Sequence, residues 1–429
     1  MRIPTGLAVL LVVAFAVRIG FVLVHERPLR SDEVDFDRLA WNLARTGSYA
    51  EAGIPTAYRP VGYPAFLAAI YRLAGHHPFA VRVVQALLDT GTALLLFGVA
   101  ARRRRAAAWL AASVWALYPP AILYTGFLVP ETLFTFLLFA FLALFDLGAD
   151  RRGWGAAFHG ALLGVLILIR PAAAAFLVLL PMLWVYLRLS WRHLGLLACG
   201  LVLVLAPWIV RNTRSVGVPA LTTNLGPNLL IGNHPGATGG YAPEVPPEML
   251  PRRGLEREEH AASRDAAIHY IAQDPGAFLW RGLRKLGYLA SAEGEVVVYA
   301  FHENPTDPGT RFREKYRSVP VALHLAVSLP YALLTLLAVL GLCARPRDAL
   351  GSAFLAWLLS WALIHFMFFG AGRFHFQLMP CIALFAAELV AGGWDRVRHL
   401  PARGWGVVLS AWALLTLVWI SEISVVAGG

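Results

Sequence analysis

The stretch Trp154–Leu187 reads WGAAFHGALLGVLILIRPAAAAFLVLLPMLWVYL, and apart from Arg170 it holds no Asp, Glu, Lys or Arg. A helix needs about 20 predominantly apolar residues to cross the hydrocarbon core of a bilayer. This stretch is too long for one crossing and is broken at Arg170-Pro171. It reads as two spans joined by a tight hairpin, with one bent helix as the alternative. The whole chain agrees with a membrane class. Its 429 residues are 58% hydrophobic and 15% charged, with a mean hydropathy of +0.61. A soluble domain carries about 25% charged residues. A soluble enzyme, a disordered chain and a collagen-like chain are therefore excluded, and a polytopic membrane protein remains.

Scanning outward from that stretch gives eleven candidate spans, near 4–24, 78–101, 106–123, 130–147, 154–169, 172–187, 194–210, 320–342, 350–369, 378–393 and 404–426. The expected fold is all-α, a single integral membrane domain over residues 1–429 with two outer elaborations. These are a first polar segment, 25–77, and a larger second one, 211–319.

The net charge of +11 does not point to nucleic acid, because the cations sit in short clusters between apolar runs. Arg2, Arg102 to Arg105, Arg151-Arg152, Arg188 with Arg192, Arg345 with Arg347, and Arg396, Arg398 and Arg403 fall on alternate connections. Residues 124–129 have no Lys or Arg, and the other short opposite loops have one each, Arg170 and Arg373. The positive-inside rule then puts the N-terminus in the cytoplasm and both long polar segments outside. Only Lys285 and Lys315 are lysines, a compositional hint of a GC-rich bacterial genome. A bacterial inner membrane is the expected location. Ala14-Phe15-Ala16 could be a signal-peptidase site, but the apolar run continues to Val24 and favours an uncleaved first helix. Arg18 on it can snorkel to the interface or face an anionic ligand. Cys199, Cys343 and Cys381 lie in or beside apolar segments and imply no disulfide framework.

The first outer segment concentrates the chemistry. In residues 31–46, Phe36, Leu39, Ala40 and Leu43 recur at helical spacing, which predicts a short amphipathic helix capped by Ser31 or Asp32. Asp32, Glu33, Asp35 and Asp37 crowd its start. Acids collect at helix N-termini because the macrodipole favours them, and that suffices for Asp35 and Asp37. Asp32 and Glu33, at the end of a membrane helix beside a basic aromatic loop, could deprotonate a hydroxyl nucleophile. Arg59, set between Tyr58 and Pro60, suits phosphate recognition or, equally, lipid headgroups.

Asp32-Glu33-x-x-x-Asp37-x-Leu39-Ala40-x-x-Leu43 followed by Thr56-Ala57-Tyr58-Arg59-Pro60-x-Gly62-Tyr63-Pro64 resembles the bacterial relatives of the protein O-mannosyltransferases and lipid A aminoarabinose transferases. Further fragments agree in order: Tyr118-Pro119-Pro120, Glu131-Thr132-Leu133-Phe134-Thr135, Arg170-Pro171, Pro207-Trp208-x-x-Arg211-Asn212, Asn224-x-Gly226-x-Asn228, Ile231-Gly232-Asn233, Gly236–Tyr241 and Arg373-Phe374 ahead of Pro380. These relatives are glycosyltransferases of the C-type membrane fold (GT-C) that use polyprenyl-phosphate sugars. The resemblance implies that Asp32 is the base toward the acceptor hydroxyl, with Glu33 beside it, and that Arg59 holds the lipid phosphate. His375 and Gln377 stand where relatives often have a second arginine and a proline. The segment 211–319 is too short for the large extra domain of some members.

Other residues have two readings. Glu131 is an ordinary helix start after Pro130, or by resemblance a group that supports a site residue or assists a metal. Arg170 and Arg373 are interfacial anchors, or line one anionic pocket with Arg59. Asn224, Asn228, Asn233 and His234 suit sugar hydroxyls or simply form turns; Tyr58 and Tyr63, in the first outer loop with Arg59, are expected to bind the sugar with them. Gln85 and Asp89, four apart inside the membrane, suit an interhelical hydrogen bond or a transport path. Asp274-Pro275 starts an amphipathic helix carrying Arg281, Arg284 and Lys285.

The function expected is an inverting transfer of a monosaccharide from a polyprenyl-phosphate donor, such as an undecaprenyl-phosphate sugar, to a lipid, glycan or protein hydroxyl outside the cell. A transporter or flippase for lipid-linked sugars, and an O-antigen ligase or polymerase, are the rivals. No cofactor or metal is called for by the spacing, though carboxylates could hold a divalent cation such as Mg or Mn.

Overall fold

A computed structural model describes residues 4–148, 153–241, 256–302 and 312–427. Arg2 and Arg151-Arg152, counted above on the arginine-rich side, lie outside them. The chain runs through α1 (Thr5–Val24) and α2 (Asp32–Thr46), then a small hairpin, β1 (Ala50–Glu51) with β2 (Ile54–Pro55). Next come α3 (Gly62–Ala74), α4 (Pro78–Ala101), α5 (Arg105–Leu117), α6 (Pro119–Thr125) and α7 (Glu131–Asp146). After these lie α8 (Gly153–Ile169), a 3-10 turn at Pro171–Ala175, α9 (Phe176–Tyr186), α10 (Trp191–Ser215) and α11 (Leu225–Ile231). The second outer segment adds α12 (Glu256–Gln273), α13 (Pro275–Leu289), α14 (Gly294–Phe301) and α15 (Phe312–Ser318). The chain closes with α16 (Val321–Ala344), α17 (Ala349–Met367), 3-10 turns at Gly372–Phe374 and Phe376–Leu378, α18 (Met379–Val390), α19 (Trp394–Arg398) and α20 (Ala402–Ala427).

The protein is an all-helical, multi-pass membrane protein apart from that hairpin. Among the described residues seven helices are long and apolar enough to cross a membrane, eight if the bent pair α5–α6 counts as one span. The eleven apolar segments are all helical, but several fall short of full spans for local reasons. Pro119 and Pro120 hold Tyr118 extended, at φ −68° and ψ 114°, and bend α5 against α6 by 51°. Glu131 and Asp146 bound α7 at 16 residues. The chain breaks at Arg170 as expected, in a 3-10 turn, with α8 packed on α10 and α9 packed on α17.

The α8–α10 pair shows what holds apolar helices together where lipid removes the hydrophobic drive: close backbone approach at small residues. A Cβ on Gly160 would lie 1.8 Å from the Leu197 carbonyl oxygen, and one on Gly200 1.9 Å from that of Ala157. Gly200→Val should therefore separate the helices and destabilise the fold by about 1–3 kcal/mol, the range of an overpacked core. Thermal unfolding in detergent measures it, and an unchanged midpoint would show that the crossing is not tight.

Buried polar pairs tie α1, α4 and α5 together. Arg18 is fully buried and donates to Asp89 at 2.5 Å and to the carbonyls of Ala14 and Ala116, both at 2.9 Å. It neither snorkels nor faces a ligand, because one acid in the adjacent helix neutralises it. Gln85 donates to the Phe127 carbonyl at 2.8 Å and accepts from the Tyr63 hydroxyl at 2.7 Å. Gln85 and Asp89 thus serve helix–helix contacts, while Thr90 and Thr92 bond only within their own helix.

Alternate connections gather at opposite ends of the bundle. At one end Arg103 pairs with Asp146 and Asp348, and Arg345 pairs with Asp348. At the other, the two long polar segments meet each other and the short turn at Arg373, and the turn at Arg170 pairs with Glu131.

Candidate active site

Helix α2 forms as its spacing predicts, with Phe36, Leu39 and Ala40 buried against α3. Its start differs in one respect. Ser31 makes no side-chain cap and sits at φ +49°, a sparsely populated conformation for a residue with a Cβ. Such strain costs about 1–3 kcal/mol and clusters at functional sites. It immediately precedes Asp32, whose carboxylate is aimed at two arginines instead of at the helix.

Arg59 donates to Asp32 Oδ1 at 2.8 Å, and Arg373 donates to Asp32 Oδ2 at 3.2 Å. Both oxygens of one carboxylate are thus held, by guanidinia from residues 314 positions apart in the chain. Asp32 is 23% exposed, Arg59 23% and Arg373 30%, so the cluster is reachable from solvent. Burial opposes ionisation of Asp32, but the two guanidinia outweigh it and hold its pKa at about 2. Each arginine has a second acid. Arg59 also donates to Asp35 at 2.8 Å, and Glu295 Oε1 lies 3.9 Å from Arg373 Nε. Arg170 donates to Glu131 at 2.5 Å, and both it and Arg373 lie 5.4 Å from the centroid of the Phe374 ring. Arg59, Asp32, Arg373, Phe374, Arg170 and Glu131 therefore form one continuous row. One oxygen of the buried Glu131 carboxylate has no hydrogen-bond partner among the described residues.

The remaining expected residues divide. Tyr58 is beside Arg59, its ring centroid 5.7 Å from that guanidinium, and burial pushes its phenol up to about 12. Thr222 joins Asn224 to this wall, donating to the Tyr58 carbonyl at 2.7 Å and accepting from the Asn224 N–H at 3.3 Å. Asn228 lies one turn on in α11, half-buried. Glu33 is fully buried and turned away, accepting from Arg27 at 2.8 Å, the Arg30 N–H at 3.0 Å and the Leu128 N–H at 2.7 Å. It pins the loop before Glu131. Tyr63 is also fully buried, its hydroxyl taken by Gln85, and is not presented to a sugar. Asn233 is likewise buried, accepting from Lys285 at 2.8 Å. His234 Nδ1 accepts from the Gly236 N–H at 3.2 Å. The structure does not bring Asn233 and His234 to the arginine row.

The sequence reading missed three groups. Asp35 sits one turn from Asp32, and that i,i+3 spacing, which places both carboxylates on one helix face, was the available signal. Glu293 and Glu295 are acids two positions apart, ahead of an apolar run. Glu293 accepts from Tyr118 at 2.9 Å and faces His375 Nε2 at 3.2 Å, while His375 Nδ1 faces the Leu289 carbonyl at 3.1 Å. His375 is thus buried as an anchor behind the row. Lys285 stood out only as one cation of an amphipathic helix; burial, with Arg281 adding to it, lowers its ammonium to about 7.

The matching segment spans much of this row's scaffold. Residues 58–210, about a third of the chain, match a family model described as dolichyl-phosphate-mannose-protein mannosyltransferase. The resemblance read from the sequence is to this family. The mannosyltransferase-like segment carries Tyr58, Arg59, Glu131 and Arg170. No curated protein sequence matches the chain. Among solved structures, ArnT from Cupriavidus metallidurans, bound to undecaprenyl phosphate, is similar at 16% identity and a TM-score of 0.44, covering 87% of this chain and 78% of that one. The Archaeoglobus fulgidus oligosaccharyltransferase, tethered with an acceptor peptide, is similar at 12% identity and a TM-score of 0.45. The match covers 96% of this chain and 55% of that one.

Proposed function

We propose that this protein is an inverting glycosyltransferase that moves a monosaccharide from a polyprenyl-phosphate donor to a hydroxyl acceptor at the outer face of a bacterial inner membrane. The observation that carries the reading is the single carboxylate of Asp32 gripped by Arg59 and Arg373. Two guanidinia at this spacing suit the two free oxygens of a phosphodiester. The family matched over residues 58–210 is described by a polyprenyl-phosphate sugar, which is the donor class such arginines would take.

The mechanism follows from competition. The donor phosphate and Asp32 want the same N–H groups. When the phosphate takes them, Asp32 is relieved of both cations, and burial together with the neighbouring anion raises its pKa to the ordinary carboxylate range near 3.9 or above it. The freed carboxylate accepts the acceptor hydroxyl's proton as the oxygen attacks the anomeric carbon, opposite the departing phosphate. Charge developing on that phosphate is stabilised by Arg59 and Arg373, with Arg170 behind Phe374. Inversion follows from one in-line displacement. Glu131 supports Arg170, Tyr58 and Asn224 wall the sugar, and Glu33 holds α2 in place.

In this reading the shorter helices α7, α8 and α9 and the bent pair also cross the membrane, giving eleven spans. Segments 25–77 and 211–319 form one outer cap. The acceptor is an envelope lipid, a glycan or a protein.

The test uses purified protein in lipid with radiolabelled polyprenyl-phosphate monosaccharides. Release of sugar to acceptor or water, with inverted configuration, is expected. Binding of the donor with no turnover by wild type, together with its movement across the bilayer, would replace this reading with that of a transporter.

A further inference from the structure

Arg59 reaches Asp32 only because the loop before it is held from the other outer segment. Glu256, the first residue of α12, accepts three hydrogen bonds with one carboxylate: from the Thr56 hydroxyl, the Ala57 N–H at 2.9 Å and the Thr223 hydroxyl at 2.9 Å. Around it the same loop is tied at nearly every polar backbone atom. The Thr223 N–H donates to the Ala57 carbonyl at 3.0 Å, Thr222 to the Tyr58 carbonyl at 2.7 Å and Arg211 to the Thr56 carbonyl at 2.6 Å. Tyr49 donates to the Arg59 carbonyl at 3.0 Å. Thr56, Thr222 and Thr223 are all buried. Among the described residues, the hydrogen bonds of Glu256 go to Thr56, Ala57 and Thr223 and not to Asp32 or the side chains of the arginine row.

We propose that Glu256 is a positioning residue that fixes the Thr56–Arg59 loop, so that the Arg59 guanidinium is set for the donor phosphate before it arrives. Preset donors bind without the cost of ordering them. A loop left to water would present the same arginine in many directions. The inference rests on the reading of Arg59 as a phosphate ligand, and assigns to Glu256 a part in donor affinity that it does not exert by contact. Three donors converging on two oxygens make this carboxylate the centre of the clamp, and its shape matters more than its charge. Glutamine keeps an oxygen for Ala57 and Thr223 and turns an amide N–H toward the Thr56 oxygen. Alanine keeps nothing.

The experiment measures binding of undecaprenyl phosphate and turnover of its sugar derivative by the full-length protein in lipid. Glu256→Ala should weaken undecaprenyl phosphate binding and raise the donor KM about tenfold, the loss expected for hydrogen bonds to a charged group, with kcat within about threefold. Glu256→Gln should restore affinity to within about threefold of wild type. In an Arg59→Ala background, Glu256→Ala should cost less than about twofold more, because Glu256 acts through Arg59. Unchanged affinity in Glu256→Ala, or its full loss persisting without Arg59, overturns the proposal. If Glu256→Ala does not fold, Thr223→Val takes its place with a smaller expected loss of about threefold. Failure of both to fold also overturns it, since a clamp on one loop is not required for the bundle. Wild-type protein that does not bind undecaprenyl phosphate would instead sink the reading of Arg59 itself.

Discussion

Asp32→Asn leaves a folded protein whose turnover of a polyprenyl-phosphate sugar falls at least about a hundredfold, the lower end of what a positioned general base contributes. Asparagine preserves the side chain's shape and still accepts from one arginine, so α2 keeps its place. It cannot take a proton from the acceptor. The same substitution has a second consequence that separates a base from a structural ion pair. With the carboxylate gone, Arg59 and Arg373 lose the anion that competes with the donor phosphate. Affinity for undecaprenyl phosphate should therefore hold or rise while kcat collapses. A variant keeping more than a few per cent of activity would remove Asp32 from the role of base. One that loses binding and turnover together would make Asp32 a part that merely holds the arginines apart.

The membrane class was legible because composition and span length act on whole segments. One long apolar stretch with a single arginine admits few alternatives. Span number was less legible, because hydropathy does not register where Pro119 and Pro120 bend a helix or where Glu131 and Asp146 cut one short. Asp32 and Arg59 stood out because they lie close in sequence in a polar loop with a recognisable motif. Their meeting with Arg373 depends on tertiary packing; from the sequence a lone arginine in a short outer turn could equally be an interfacial anchor or line one anionic pocket with Arg59. The converse error is equally physical. Tyr63, Asn233 and Glu33 carry the right atoms for a sugar or a proton, but Gln85, Lys285 and Arg27 already occupy those atoms. Sequence gives the inventory of donors and acceptors; burial and partnering decide which remain available. Glu256 escaped notice for a related reason, since its effect on Arg59 passes through the backbone of another segment.

The two guanidinia offer the second large effect. Arg373→Ala should lower kcat about 10²–10³-fold, the range for removing one preorganised donor to developing charge. Arg373→Lys should recover little of it, since an ammonium cannot reproduce the planar fork. The acid side of the pH profile carries the sharper test. A base must be ionised, so activity is lost as pH falls through its pKa. In the free protein two guanidinia hold Asp32 at about 2, so kcat/KM should show no acid limb from this group down to the lowest pH at which the protein survives. In the donor complex the phosphate has taken those guanidinia, burial remains, and kcat should show an acid limb at or above the ordinary carboxylate range of about 4. Arg373→Ala removes one of the two cations already in the free protein. Its kcat/KM limb should then move up toward that of kcat, and the gap between the two profiles should narrow. Superimposable profiles in wild type would mean that the donor does not displace the arginines from Asp32. In that case a carboxylate gripped on both oxygens could not serve as the base.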